Sequence, residues 1–119
     1  MNEIFDALDD IGAETEDALD RFMDDEEMYL KYVLDFPEEP TMDKLVDAVA
    51  NQDYEQAEKS VHALKGIVIN LGFTPLADAS MDMLEELRDE NIDSALDAYE
   101  DVKTEYDRFC KVINEWRNQ

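Results

Sequence analysis

Apolar residues along this chain recur at spacings of three and four, the period that gives a helix one buried face. The longest run is Ile92, Ala95, Tyr99, Val102, Tyr106, Phe109, Ile113 and Trp116, with charged residues between its members. It predicts one long C-terminal helix. Tyr54, Ala57, Val61, Leu64, Val68 and Leu71 predict a second helix over about 54–71, with Gly72 as its stop. Thr74 suits an N-cap and Pro75 a first helical position, opening a third helix with the stripe Leu76, Ala79, Met83 and Leu87, and Ser80 and Leu84 beside it. A shorter helix follows Pro40-Thr41, with Met42, Leu45, Val46 and Val49 on one face. The period of two expected of strands is nearly absent.

The connections are short. Asn51-Gln52-Asp53 and Asn91-Ile92-Asp93 each offer an Asn suited to a left-handed helix end and an Asp suited to capping the next helix. Links this tight place consecutive helices side by side and antiparallel. The expected fold class is all-α: an antiparallel up-down-up-down four-helix bundle over about 41–117, with additional short N-terminal helices within 1–37. Ile4, Phe5, Leu8 and Ile11 predict the first of these, ending at Gly12, and Ala18, Leu19, Phe22 and Met23 the second. Asp24 with Glu27 resembles a capping box opening the third, which carries Tyr29, Leu30, Val33 and Leu34 and closes at Phe36-Pro37. These pieces are expected to pack on one end or side of the bundle, and residues 1–119 to form one domain. The six methionines read as core filler.

Charge changes the picture more than composition does. With 10 Lys and Arg against 33 Asp and Glu, the formal net charge is −23. That argues against binding a nucleic-acid backbone or an anionic membrane surface. Leu, Ile, Val and Phe make up 29 of the 119 residues, above the roughly 20% floor of charged disordered chains. The single cysteine, Cys110, forms no internal disulfide and no Cys-based zinc site, and reads as a buried, inert thiol. The acidic start Met1-Asn2-Glu3 lacks the pattern of a signal peptide. No apolar stretch approaches the ~18 residues of a membrane span. The expected setting is cytoplasmic. Neither a calcium loop nor a Gly-rich phosphate loop is visible, so no cofactor or metal is expected.

The acids are unevenly placed. Lys59 to Ala77 is a stretch of 19 residues without Asp or Glu, and it holds the only histidine, His62. Lys59 and Lys65 stand one turn before and after it. At helical spacing Lys59, His62, Lys65, Gly66 and Ile69 share a side that is not the apolar stripe. His62 follows the stripe residue Val61, which puts it on the shoulder of the bundle, partly exposed. Gly66 costs about 1 kcal/mol in a helix interior and clears space beside the ring. A free imidazole titrates near ~6.5, so it is largely neutral and nucleophilic near neutral pH. The flanking ammonium groups would balance an arriving phosphoryl charge. Two readings of these residues stand side by side. His62 accepts a phosphoryl group from a partner that docks on Ile69 and Phe73, or it is an ordinary boundary residue with Gly66 marking close helix packing.

The segment His62-Ala63-Leu64-Lys65-Gly66 resembles the H-x-L-K-G motif of histidine-containing phosphotransfer (HPt) domains. Asn70-Leu71-Gly72 and Leu84-Glu85 fall where that family commonly has Asn-Leu-Gly and Leu-Glu, and Phe22 through Tyr29 resembles its Phe, Asp-Glu, Tyr region. The likeness covers about residues 15 to 113. It implies a bundle built on four antiparallel helices. It further implies that His62 is the phosphoacceptor at Nε2, that Lys65 neutralises the phosphoryl group and helps recognise the partner, that Gly66 gives access to the ring, and that Gly72 is structural. The implied partners are response-regulator receiver domains and an upstream or hybrid histidine kinase. The implied Mg²⁺ belongs to the receiver, and no kinase activity is expected of the chain itself. Ile67, Val68 and Phe73 depart from the small or hydroxylated residues usual there, which bears on partner choice. Lys59 joins the docking set from geometry alone. The expectation is a monomeric phosphorelay intermediate that binds neither nucleic acid nor membrane. The competing expectations are an acidic helical interaction module, mimicking nucleic acid or shielding a basic partner, and a divalent-cation binder.

Overall fold

A computed structural model describes residues 3–118. It contains seven α-helices and one 3-10 turn, with no strand among the described residues: α1 Glu3–Asp10, α2 Thr15–Arg21, α3 Glu26–Asp35, the turn Phe36–Glu38, α4 Thr41–Ala50, α5 Tyr54–Leu71, α6 Thr74–Arg88 and α7 Ile92–Arg117. α4 to α7 follow one another as antiparallel neighbours, each packed on the next. The helical stripes form one continuous core with the N-terminal helices, from Ile4 to Ile113. Val46 and Met23 are the exceptions and stay exposed.

The helices differ in length, and this gives the N-terminal pieces their place. α7 has 26 residues, about 39 Å at ~1.5 Å per residue, whereas α4 has 10. No close backbone approach joins α4 to α7. Instead α1, α3 and the 3-10 turn pack against α7. The second half of α7 meets them through aromatic rings: Phe36 lies 5.4 Å from Tyr106 and edge-on to Phe73 at 5.3 Å. Arg117 closes the same end by pairing with Glu38 at 2.7 Å.

The turns repeat, but in another register from the one the chain suggests. Asn51-Gln52-Asp53 matches Asp89-Glu90-Asn91. The middle residue is left-handed in each, Gln52 at φ 54° and Glu90 at φ 59°. The next N–H then reaches back to Ala48 or Glu86 to satisfy a helix-end carbonyl. Ile92 begins the apolar stripe of α7, so the helix must start there, and Asp93 lies inside it. Asp53 does cap α5, accepting from the Gln56 N–H at 3.1 Å. The cap of α3 is Asp25, accepting from Met28 N–H, because Asp24 is itself left-handed at φ 61°. Thr74 is the first residue of α6 rather than its cap, and Phe73 holds the capping position.

Gly72 locks the N-terminal helices to the bundle. Its backbone is left-handed at φ 77°, and an added Cβ would lie 2.6 Å from the Glu14 carbonyl oxygen. The Glu14 N–H in turn donates to the Gly72 carbonyl at 2.8 Å. One residue back, the buried Tyr29 hydroxyl donates to the Leu71 carbonyl at 2.7 Å. The C-terminal end of α5 is therefore held by Glu14, just before α2, and by Tyr29 of α3.

Candidate functional site

His62 is the ninth of the 18 residues of α5, so it stands mid-helix. The buried face of α5 comprises Ala57, Ser60, Val61, Leu64, Val68 and Leu71. Ser60 joins that face and Tyr54 is only half-buried, which turns the core side further from His62 than the apolar stripe implies. The imidazole is therefore exposed rather than set on the bundle's shoulder. The side-chain hydrogen bonds and the ion pair on this part of α5 involve Asp53, Gln56, Ser60, Lys59 and Glu55, not the ring.

Gly66, one turn on, is exposed, and a Cβ placed there meets no atom of a neighbouring helix within 4 Å. Close helix packing therefore gives no reason for this glycine. Gly66→Ala should raise stability by about 0.5–1 kcal/mol, measured by denaturant unfolding. A loss of stability would show that the fold itself needs the glycine.

The two lysines differ. Lys59 is exposed and sits 3.9 Å from Glu55 across one turn, a weak pair that still offsets part of its charge. Lys65 is half-buried in a groove shared with Met81, Leu84, Glu85, Arg88 and Asp89 of α6 and its C-terminal end. No carboxylate of the described residues pairs with its ammonium.

The acid-free stretch is thus not an acid-free surface. Tertiary packing brings Glu85 and Asp89 to the Lys65 side. It also adds two arginines that the spacing along the chain did not show. Arg88 lies beside Lys65, and Arg21, from α2, donates to the Ile69 carbonyl near the end of α5. Ile69 (39% exposed) and Met81 (41% exposed) line one shallow groove beside Arg21. The sequence carries no sign of either arginine's placement, since both depend on helices from elsewhere in the chain.

Phe73 is a correction. It was expected in the docking set, but its ring is fully buried, stacked on Phe109 at 4.5 Å and edge-on to Phe36. Gly72 turns the chain inward there, so Phe73 belongs to the core. Val68 is also buried and Ile67 half-buried. Met42 and Met83 are core residues, but Met23, Met28 and Met81 are exposed, so methionine was a poor guide to burial here. Cys110 is half-buried, and burial raises its thiol above the ordinary value, which fits an inert side chain.

A family model of the Hpt domain matches residues 5–111 of the 119. The chain belongs to the Hpt domain family. No curated protein and no solved structure registers as a match to it. Membership makes this Hpt domain a phosphotransfer module of two-component signalling, whose family partners are receiver domains and histidine kinases. The match spans the N-terminal helices as well as the bundle, in keeping with the single core they share. No helix among the described residues is long and apolar enough to cross a membrane. No group of three His, Cys, Asp or Glu side chains among them is placed to hold a metal ion.

Proposed function

We propose that this Hpt domain is a phosphorelay intermediate that carries the phosphoryl group on His62. The observation that carries the reading is the setting of the chain's one histidine. It stands exposed at mid-helix, between Lys59 and Lys65, with open space over Gly66.

A receiver aspartyl phosphate approaches the exposed face of α5. The Nε2 lone pair of His62 attacks phosphorus, and the phosphorus–oxygen bond to the aspartate breaks. The carboxylate leaves with the bonding electrons. The reverse step delivers the group to an aspartate on a second receiver. Lys65 balances the charge of the transferred group and contacts the partner. Gly66 keeps the approach clear, and Lys59 and Ile69 belong to the docking face. The chain's contribution is a positioned nucleophile on a rigid helix. It needs no cofactor of its own, and the Mg²⁺ resides in the receiver. The chain acts as a monomer in the cytoplasm, as a carrier and not as a kinase.

Incubation with a phosphorylated receiver tests this. Acid-labile phosphate should appear on the chain, and none appearing overturns the reading. Lys65→Ala should slow transfer by roughly ten- to a hundredfold, the order of one lost charge-assisted contact of ~1.5–3 kcal/mol, with unfolding unchanged. Equal rates would remove Lys65 from the mechanism.

A further inference from the structure

The methionines divide into two sets. Met42 and Met83 are buried in the core, whereas Met23 is 90%, Met28 48% and Met81 41% exposed. Burial shields a thioether, and exposure leaves its sulfur open to oxidants. Of the exposed set, Met81 has the distinctive place. Asp78, Met81, Glu85 and Arg88 follow one another on α6 at spacings of three, four and three, which puts them on one face of the helix. Met81 is the apolar member of that row. It lines two grooves at once, one with Lys65 and Arg88 and the other with Arg21 and Ile69. The thioether therefore stands between the cation that balances the phosphoryl charge and the apolar residue of the docking face. Met23, in the turn between α2 and α3, and Met28, on α3, line neither groove.

We infer that Met81 is an oxidation site, and that its sulfoxide slows phosphotransfer through His62. The oxidant is hydrogen peroxide. A sulfur lone pair attacks one peroxide oxygen, and the oxygen–oxygen bond breaks. The departing hydroxide takes the proton of the new sulfur-bound hydroxyl and leaves as water. Sulfur gives up two electrons, and the peroxide gains them. The product is a polar side chain whose oxygen accepts hydrogen bonds.

Two consequences follow for transfer. The sulfoxide oxygen competes for the Lys65 ammonium and the Arg88 guanidinium in the groove it shares with them. A receiver docking over Ile69 must also strip water from that oxygen, which costs free energy where the partner offers no hydrogen bond in return. The inference rests on the reading of His62 as the phosphoacceptor.

Stepwise exposure of the intact chain to hydrogen peroxide tests it, with each methionine followed by peptide mass spectrometry. Met23, Met28 and Met81 should gain oxygen while Met42 and Met83 do not. Met81 reacting no faster than the two core residues overturns the inference. Transfer from a phosphorylated receiver is then timed in samples stopped before the core methionines react, each chain against its own untreated sample. The parent should slow by about tenfold or more, the scale of desolvating one unpaired polar group. The double variant Met23→Leu, Met28→Leu should slow as much, and Met81→Leu should not. Leucine keeps the volume and apolar character without an oxidisable sulfur. Cys110 is common to all of these chains and cannot account for a difference among them. No slowing of the parent, or equal slowing of Met81→Leu, overturns the inference.

Reversal gives a second readout. A dithiol with the reductases for both sulfoxide epimers restores the thioether and yields a disulfide and water. The parent should then recover its rate, and a rate that stays low overturns the inference. The melting temperature of the oxidised parent should stay within about 3 °C of the untreated chain, as for other surface changes. A larger fall would assign the slowing to unfolding and overturn it. An untreated parent that takes no phosphate sinks the carrier reading and this inference together. Normal labelling that oxidation leaves unslowed sinks the inference alone.

Discussion

Replacement of His62 by glutamine should abolish the acid-labile phosphate that a phosphorylated receiver is expected to place on this chain. The expected loss is complete, because the carrier step forms a nitrogen–phosphorus bond. An amide nitrogen has its lone pair delocalised into the carbonyl and is no substitute nucleophile. Glutamine is close to histidine in size, and residue 62 is exposed, with no side-chain hydrogen bond or ion pair holding its ring in the described structure. The fold should therefore be untouched, and thermal unfolding should match that of the parent within about 0.5 kcal/mol, as for other surface changes. Association with the receiver should survive, since the proposed docking face keeps Lys59, Lys65 and Ile69. Label persisting on the variant would assign the acceptor elsewhere. An acidic interaction module would behave differently: its parent chain would take no label, and its salt-sensitive binding would survive the substitution.

Phe73→Ala costs about 3–5 kcal/mol of stability, the range for truncating a buried aromatic ring. The ring is 0% exposed, lies 4.5 Å from Phe109 at an interplanar angle of 17°, and meets Phe36 at 82°. Removing it opens a cavity where α5 passes into α6 and the N-terminal segment is anchored. For a domain of this size each kcal/mol shifts the melting temperature by about 4 °C, so a fall of more than about 10 °C is expected by calorimetry. This separates the core role from the docking role that the sequence suggested. A docking residue would lose partner affinity at unchanged stability, and that result would overturn the core assignment.

Helix positions were legible because a helical period records which side of each element faces the core. The stripes of α5, α6 and α7 are one-dimensional patterns with a direct structural meaning, and each element appeared where its stripe ran. The turns were less legible. Asn91 and Asp93 looked like the pair Asn51 and Asp53, but the start of α7 is decided by where Ile92 packs, not by the best capping residue nearby. Gly66 read as an open position and is one, since an open position needs nothing from other helices. Phe73 misled, because a hydrophobic residue after an exposed stretch reads the same whether the chain turns inward or outward.

The sequence by itself determined the all-α class, the short links that make α4 to α7 antiparallel, and the segment around His62 in which Lys59, Lys65, Gly66 and Ile69 share a face. All of these depend on residues within a few turns of one another, where backbone geometry alone sets the spacing. Only the tertiary structure decided that Arg21 and Arg88 stand near that face, that Glu85 and Asp89 share the Lys65 groove, and that Phe73 is core. Those features join residues far apart in the chain, and their meeting is set by how unequal helices pack around α7, which no local period encodes.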